Sequence, residues 1–113
     1  MLKITDNEIF LTRGDSADLQ VIIKDLEGNV YTLQTGDKLE FTLKYNCITD
    51  IAIISQDLTT DSTIHITPDD TDTLLYGAYW FDVQLTLASG KVYTVIGPHK
   101  FNITKEVTWN VSE

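Results

Sequence analysis

"TPDDTDTLLYGAYWFDVQLTL" (residues 67–87) carries two signals that together decide the fold. In its second half Tyr79, Phe81, Val83, Leu85 and Leu87 alternate with Trp80, Asp82, Gln84 and Thr86. Successive side chains of a strand point to opposite faces, so this pattern predicts a strand over 79–87 with an apolar inner face, the longest of the chain. The opposite face is polar except at Trp80. In the first half, Thr67 suits an N-cap, Pro68 the first helical position, and Asp69 and Asp70 the positive end of a helix dipole. Gly77 closes the segment, which predicts one short helical turn over 68–75. Tyr79 therefore follows a helical turn and a glycine, two residues before the inward-facing Phe81. An immunoglobulin-type tyrosine corner places its tyrosine there, and Phe81 takes the position that antibody domains fill with cysteine.

The same period of two recurs on either side. Leu19, Val21 and Ile23 share a face, as do Leu39, Phe41 and Leu43. Residues 51–54 and 63–66 read as short strands. "ASGK" (88–91) is a tight turn into Val92, Thr94 and Ile96. Gly97-Pro98 interrupts that strand, because Pro98 cannot donate to a ladder; Phe101, Ile103 and Val107 continue the pattern beyond a bend or bulge. Turns fall about every ten residues, as expected of a sandwich. The expected fold is an all-β, immunoglobulin-like two-sheet β-sandwich of seven or eight strands with one short helical turn. It forms a single domain over residues 1–113, with Leu19, Val21, Ile23, Leu39, Phe41, Leu43, Phe81, Val83 and Leu85 in its core.

The bulk properties narrow the function. The chain has 113 residues, 42% of them hydrophobic and 22% charged, an ordinary balance for a folded domain. Its net charge of −9 repels a phosphate backbone and an anionic membrane surface alike, so neither nucleic acid nor membrane is expected as a partner. Cys47 is the single cysteine, which excludes an internal disulfide. The opening "MLKITDNEIF" has no apolar core of a signal peptide, and no apolar run is long enough to cross a bilayer. The sequons at Asn102-Ile103-Thr104 and Asn110-Val111-Ser112 are accordingly read as chance.

Two longer stretches carry a family resemblance. "FLTRGDSADLQVIIKDLEGNVYTLQTGDKLEFTLK" (10–44) has a Gly-Asp-Ser turn before an alternating strand, an Asp-x-x-Gly turn, and a Thr-Gly-Asp turn before "LEFTLK". "ITPDDTDTLLYGAYWFDVQLTLASGKVYTVIGPHKFNIT" (66–104) has a Pro-acid-acid turn, a Gly-x-Tyr strand and a final hairpin ending in Phe-x-Ile. In these features the chain resembles the N-terminal β-sandwich domain of phage baseplate upper proteins and related prophage structural proteins. The resemblance implies a virion component made in the bacterial cytoplasm. In that family a second region, which carries receptor-binding proteins, follows the domain; residues 1–113 do not include it.

Individual candidates for chemistry are few. Arg13-Gly14-Asp15-Ser16 spells an integrin-binding peptide, but it sits between "EIFLT" and "ADLQVIIKD", where Gly-Asp is a natural turn pair. Arg13 is read as a solvated turn residue whose loss leaves stability nearly unchanged. Asp69, Asp70 and Asp72 lack the bidentate Glu that ends a calcium loop, and Asp50, Asp57 and Asp61 are scattered in loops. Neither His65 nor His99 has a Cys or acidic residue at metal-ligand spacing. No nucleophile motif, phosphate loop or dinucleotide fingerprint occurs, so no enzyme, cofactor or metal is expected. The aromatics Tyr76, Trp80 and Tyr93 are the candidate contact residues, since aromatics anchor interfaces. The expected function is that of a non-catalytic structural component of a phage or prophage particle, in its baseplate, tail or head. It would act through protein–protein assembly with other phage structural subunits or as a homo-oligomer. The alternative is a carbohydrate-binding or adhesion module in which Trp80 and Tyr93 stack on a sugar ring.

Overall fold

The computed structural model describes residues 2–5, 7–25, 27–46 and 51–105. Cys47, Asp50, Val107 and the sequon at Asn110 lie outside these residues. Eight strands and one helical turn follow in chain order: β1 (Leu2–Thr5), β2 (Glu8–Thr12), β3 (Ala17–Gln20), β4 (Lys38–Lys44), β5 (Ala52–Asp57), β6 (Thr63–Ile66), α1 (Pro68–Thr71), β7 (Gly77–Thr86) and β8 (Val92–Thr104). They form a six-stranded sheet, β1-β2-β8-β7-β4-β5, and a two-stranded sheet, β3-β6. Every pairing is antiparallel except β2 with β8. The molecule is the all-β, immunoglobulin-like two-sheet sandwich that the alternation predicts.

β7 sets the register. It pairs without a break along β4, from Lys38↔Thr86 to Lys44↔Trp80, so its period of two passes intact to β4. Tyr79, Phe81, Val83 and Leu85 are all buried. Facing them from β4 are Leu39, Phe41 and Leu43, each with no exposed surface. Along the parallel seam Ile9↔Phe101 and Leu11↔Ile103 add four more buried residues, and Ala17↔Ile66 and Leu19↔Ile64 supply the facing sheet. Eight of the nine expected core residues are buried; Ile23 packs against the core while partly exposed. The tyrosine corner is present: the buried Tyr79 donates its hydroxyl to the Leu75 carbonyl at 2.7 Å.

Some element bounds differ from expectation for physical reasons. α1 stops at Thr71 instead of 75. So short a helix nucleates poorly, and what holds it is the Asp70 carboxylate, which accepts from the Thr67 backbone N–H at 2.7 Å and from its hydroxyl at 3.1 Å. β5 runs on through Ser55, Gln56 and Asp57, which look like loop in sequence, because β4 offers them a ladder. The longest strand is β8, with 13 residues against 10 in β7. It continues through Gly97-Pro98 by bulging: between Phe81↔His99 and Val83↔Ile96, and again before Gln84↔Thr94, β8 carries one residue more than β7. Each bulge inverts the parity of β8, so Val92 lies on the outer side and Ile96 on the inner side.

Phe81 sits at the centre of a ring cluster, 5.8 Å from Phe41 and edge-on to Phe101 at 6.1 Å between centroids. Phe81→Ala is expected to lower unfolding stability by about 3–5 kcal/mol, read as a shifted denaturation midpoint. An unchanged midpoint would mean that the two faces of β7 are assigned the wrong way round.

Candidate functional site

The loops at one end of the sandwich gather exposed apolar side chains that alternation alone does not reveal. Lys44 pairs with Ala52, which places Tyr45 and Ile51 side by side where β4 passes to β5. The Tyr45 ring lies 5.4 Å from that of Tyr79, whose hydroxyl holds the Leu75 carbonyl. Tyr45, Ile51, Leu75 and Tyr76 are 57%, 73%, 78% and 41% exposed. Arg13 closes the group: its guanidinium stacks 4.5 Å above the Tyr76 ring, and one of its nitrogens donates to the Leu74 carbonyl at 3.4 Å. The next residue, Gly14, donates its N–H to the fully buried Thr71 hydroxyl at 2.9 Å. Gly14 has φ 84°, a conformation that glycine adopts without a steric penalty. The Arg-Gly-Asp segment is thus a turn clamped onto α1. Arg13 is not the solvated residue expected from sequence: a neighbouring aromatic face and a free turn carbonyl both recruit its guanidinium.

The three aromatics singled out in sequence do not form one patch. Tyr76 belongs to the apolar end. Trp80 lies on the outer face of the six-stranded sheet, half-buried, with the Lys100 ammonium 5.9 Å from its ring centre. Tyr93 pairs with the inward-facing Leu85 near the far end and is 50% exposed. Five residues of strand, about 17 Å, separate the Trp80 and Leu85 positions, and the two positions face opposite sides. Trp80 and Tyr93 therefore do not meet on a common ring.

Around Trp80 the outer face forms a shallow groove of about 240 Å³, lined by Thr42, Lys44, Asn46, Asp82, Gln84 and Pro98. The bulge at Gly97-Pro98 leaves Asp82 without a register partner on β8. The Asp82 carboxylate takes no hydrogen bond from any described residue. Burial pushes its pKa up, Lys44 pulls it down and Glu40 raises it further.

Sequence reasoning passed over several polar residues that hold the scaffold. Asp37 is buried and accepts from the Tyr31 hydroxyl, the Gln34 N–H at 2.8 Å and the Ala88 N–H at 3.1 Å. These bonds, the one from Tyr31 foremost, hold its pKa below the usual carboxylate range. It ties the loop before β4 to the β7–β8 turn, and the only hint in sequence was its Thr-Gly-Asp turn. His65 faces outward, as expected, but bridges two carboxylates, with Nδ1 2.7 Å from Asp18 and Nε2 2.8 Å from Asp61. Its backbone N–H and C=O are taken by the Gln56 side-chain amide, at 3.1 and 2.5 Å. Since those groups point away from β3, Asp18↔His65 is a pair of the closely spaced kind, which is why the two side chains touch.

The remaining candidates are spent on local structure. Asp57 accepts from the Thr59 N–H at 2.9 Å, Asp70 caps α1, and the His99 ring packs 6.3 Å from Phe81. Asn102 donates to Glu8 at 2.9 Å and to the Ile9 carbonyl at 3.1 Å, so its amide is engaged within the fold. Among the described residues no group of three His, Cys, Asp or Glu side chains is placed to hold a metal ion, and no helix is long and apolar enough to cross a membrane. No family model, no curated protein and no solved structure matches the chain.

Two outcomes follow from this geometry. Arg13→Ala is expected to destabilise by about 0.5–1 kcal/mol, the scale of an exposed cation–π contact, and Arg13→Lys to recover part of it. Equal denaturation midpoints for all three proteins would return Arg13 to solvent. His65 is raised above its ordinary 6.5 by Asp61 and Asp18, and Asp61 is lowered below 3.8 by His65. The His65 contribution is complete below pH 6.5 and fades as pH rises through the elevated folded value; the Asp61 contribution is complete above pH 3.8 and fades as pH falls through the depressed one. The clamp therefore stabilises most between these limits. Denaturation across pH should show stability falling above pH 6.5 in the parent and a flatter profile in His65→Gln.

Proposed function

We propose that this chain is a non-catalytic structural domain that works by protein–protein assembly, as a component of a phage or prophage particle. The observation that carries the assembly reading is the apolar end formed by Tyr45, Ile51, Leu75 and Tyr76. Large apolar side chains grouped in this way mark contact surfaces, because covering them removes apolar area from water. The group is also held in place before any partner arrives. Tyr79 fixes Leu75 through its carbonyl, and Arg13 fixes the Tyr76 ring. A prearranged surface loses less conformational entropy on docking. The phage assignment draws on the turn-and-strand resemblance of residues 10–44 and 66–104 to baseplate upper proteins. A net charge of −9 keeps the free subunits apart in solution until the matching surface is met.

Co-expression with the products of flanking genes tests both parts. A product of a tail, baseplate or head gene is expected to co-purify with the chain, and Leu75→Asp to abolish that without lowering the melting temperature. Flanking genes unrelated to a particle would count against the phage assignment. An interaction indifferent to both Leu75→Asp and Ile51→Asp would move the contact away from this end. If sedimentation shows a self-associated species that Leu75→Asp dissociates, the partner is a second copy of the chain.

A further inference from the structure

The groove on the outer face is separate from the apolar end and is unused by assembly through it. We propose that this groove binds one neutral hexopyranose unit of a glycan, the ring seated on the Trp80 indole and its hydroxyls held by Asp82 and Gln84. A pyranose has a face of C–H groups and a rim of hydroxyls, so it needs an apolar platform bordered by hydrogen-bonding groups. Trp80 is the platform: half-buried, it keeps a fixed ring and an open surface. Along the same face of β7 come Asp82 and Gln84, with Thr42 and Lys44 beside them on β4.

Asp82 is the decisive group. The doubly bulged β8 swings past it, leaving a carboxylate partly withdrawn from water and without a hydrogen-bond donor among the described residues. Partial burial raises its pKa, because it draws the charged form away from the donors that water offers. Sugar hydroxyls supply such donors. Charge narrows the ligand class further. Asp82 and the acidic chain oppose an anion, while Lys44 and the Lys100 ammonium beside Trp80 oppose a cation. At 5.9 Å the Lys100 contact is at the outer limit of the cation–π range, so a ring displaces it at small cost. The volume of about 240 Å³ lies just under the range of about 300–1,000 Å³ usual for ligand pockets, which fits one ring.

The test is a titration of the isotopically labelled chain with methyl glycosides of glucose, galactose, mannose, rhamnose and N-acetylglucosamine. Each is taken to about 10 mM, enough to register a Kd of about 1 mM. At least one glycoside is expected to shift the Trp80 indole N–H and the amides of residues 82–84 in a saturable way. Trp80→Phe identifies the indole signal, since Trp109 supplies the other. Trp80→Ala and Asp82→Ala should each weaken binding about tenfold or more with the folded spectrum retained. Leu75→Asp should leave binding unchanged, which separates this proposal from the assembly reading. No saturable shift with any glycoside, or shifts that survive both alanine variants, would overturn it. So would Trp80 signals that respond to dilution instead of sugar, since the face would then be a contact between copies of the chain.

Discussion

The unbroken alternation of β7 is the constraint on which the sandwich rests. β7 is paired on both sides, so any slip along it would turn the whole inner face of the large sheet towards solvent. Its start is fixed by Tyr79, whose ring is buried and whose hydroxyl holds the chain just before the strand at Leu75. One side chain thereby joins the core to the loop that leads into it. From this point inward, Phe81, Phe41 and Phe101 lock three adjacent strands through ring contacts.

How much of this was legible in sequence depends on whether the cause was local. Alternation in β4 and β7 is local, and it placed six core residues correctly, with Leu19 and Val21 placed by the same pattern in and just after β3. The Pro98 interruption was visible as well, and the bend or bulge expected there is a bulge, but the change of faces between Ile96 and His99 was not visible. One bulge flips the faces of β8 and the second restores them, and bulges are set by pairing with β7, which one strand's sequence does not record. The clamps were invisible for the same reason. Asp37 meets Ala88, and His65 meets Asp18, only because the topology brings distant turns or strands together. The aromatics illustrate both cases. Period two put Trp80 on the outer face correctly, but whether Tyr93 joined it depended on the pairing of β8 with β7, which sets Tyr93 opposite the inward-facing Leu85.

The two proposals draw on different parts of the fold. The apolar end is built from loops and held by turn-to-turn contacts, so it is rigid without belonging to either sheet. The groove is built on strands, and strand positions hold a side chain more closely than loops do. The Arg-Gly-Asp sequence belongs to the first part. Its arginine is bound to Tyr76 and its glycine to Thr71, so the motif serves the fold before it serves any receptor.

Gln56 has a consequence beyond joining the sheets. β6 reads Thr-Ile-His-Ile, short, β-branched and uncharged apart from its histidine. A strand of that composition with free backbone groups is a template on which other chains stack, the first step towards amyloid. The Gln56 amide fills the rung at His65 with a side chain that cannot itself be extended into a further strand. One glutamine on the neighbouring sheet thus occupies the edge rung at which a further strand would begin to pair.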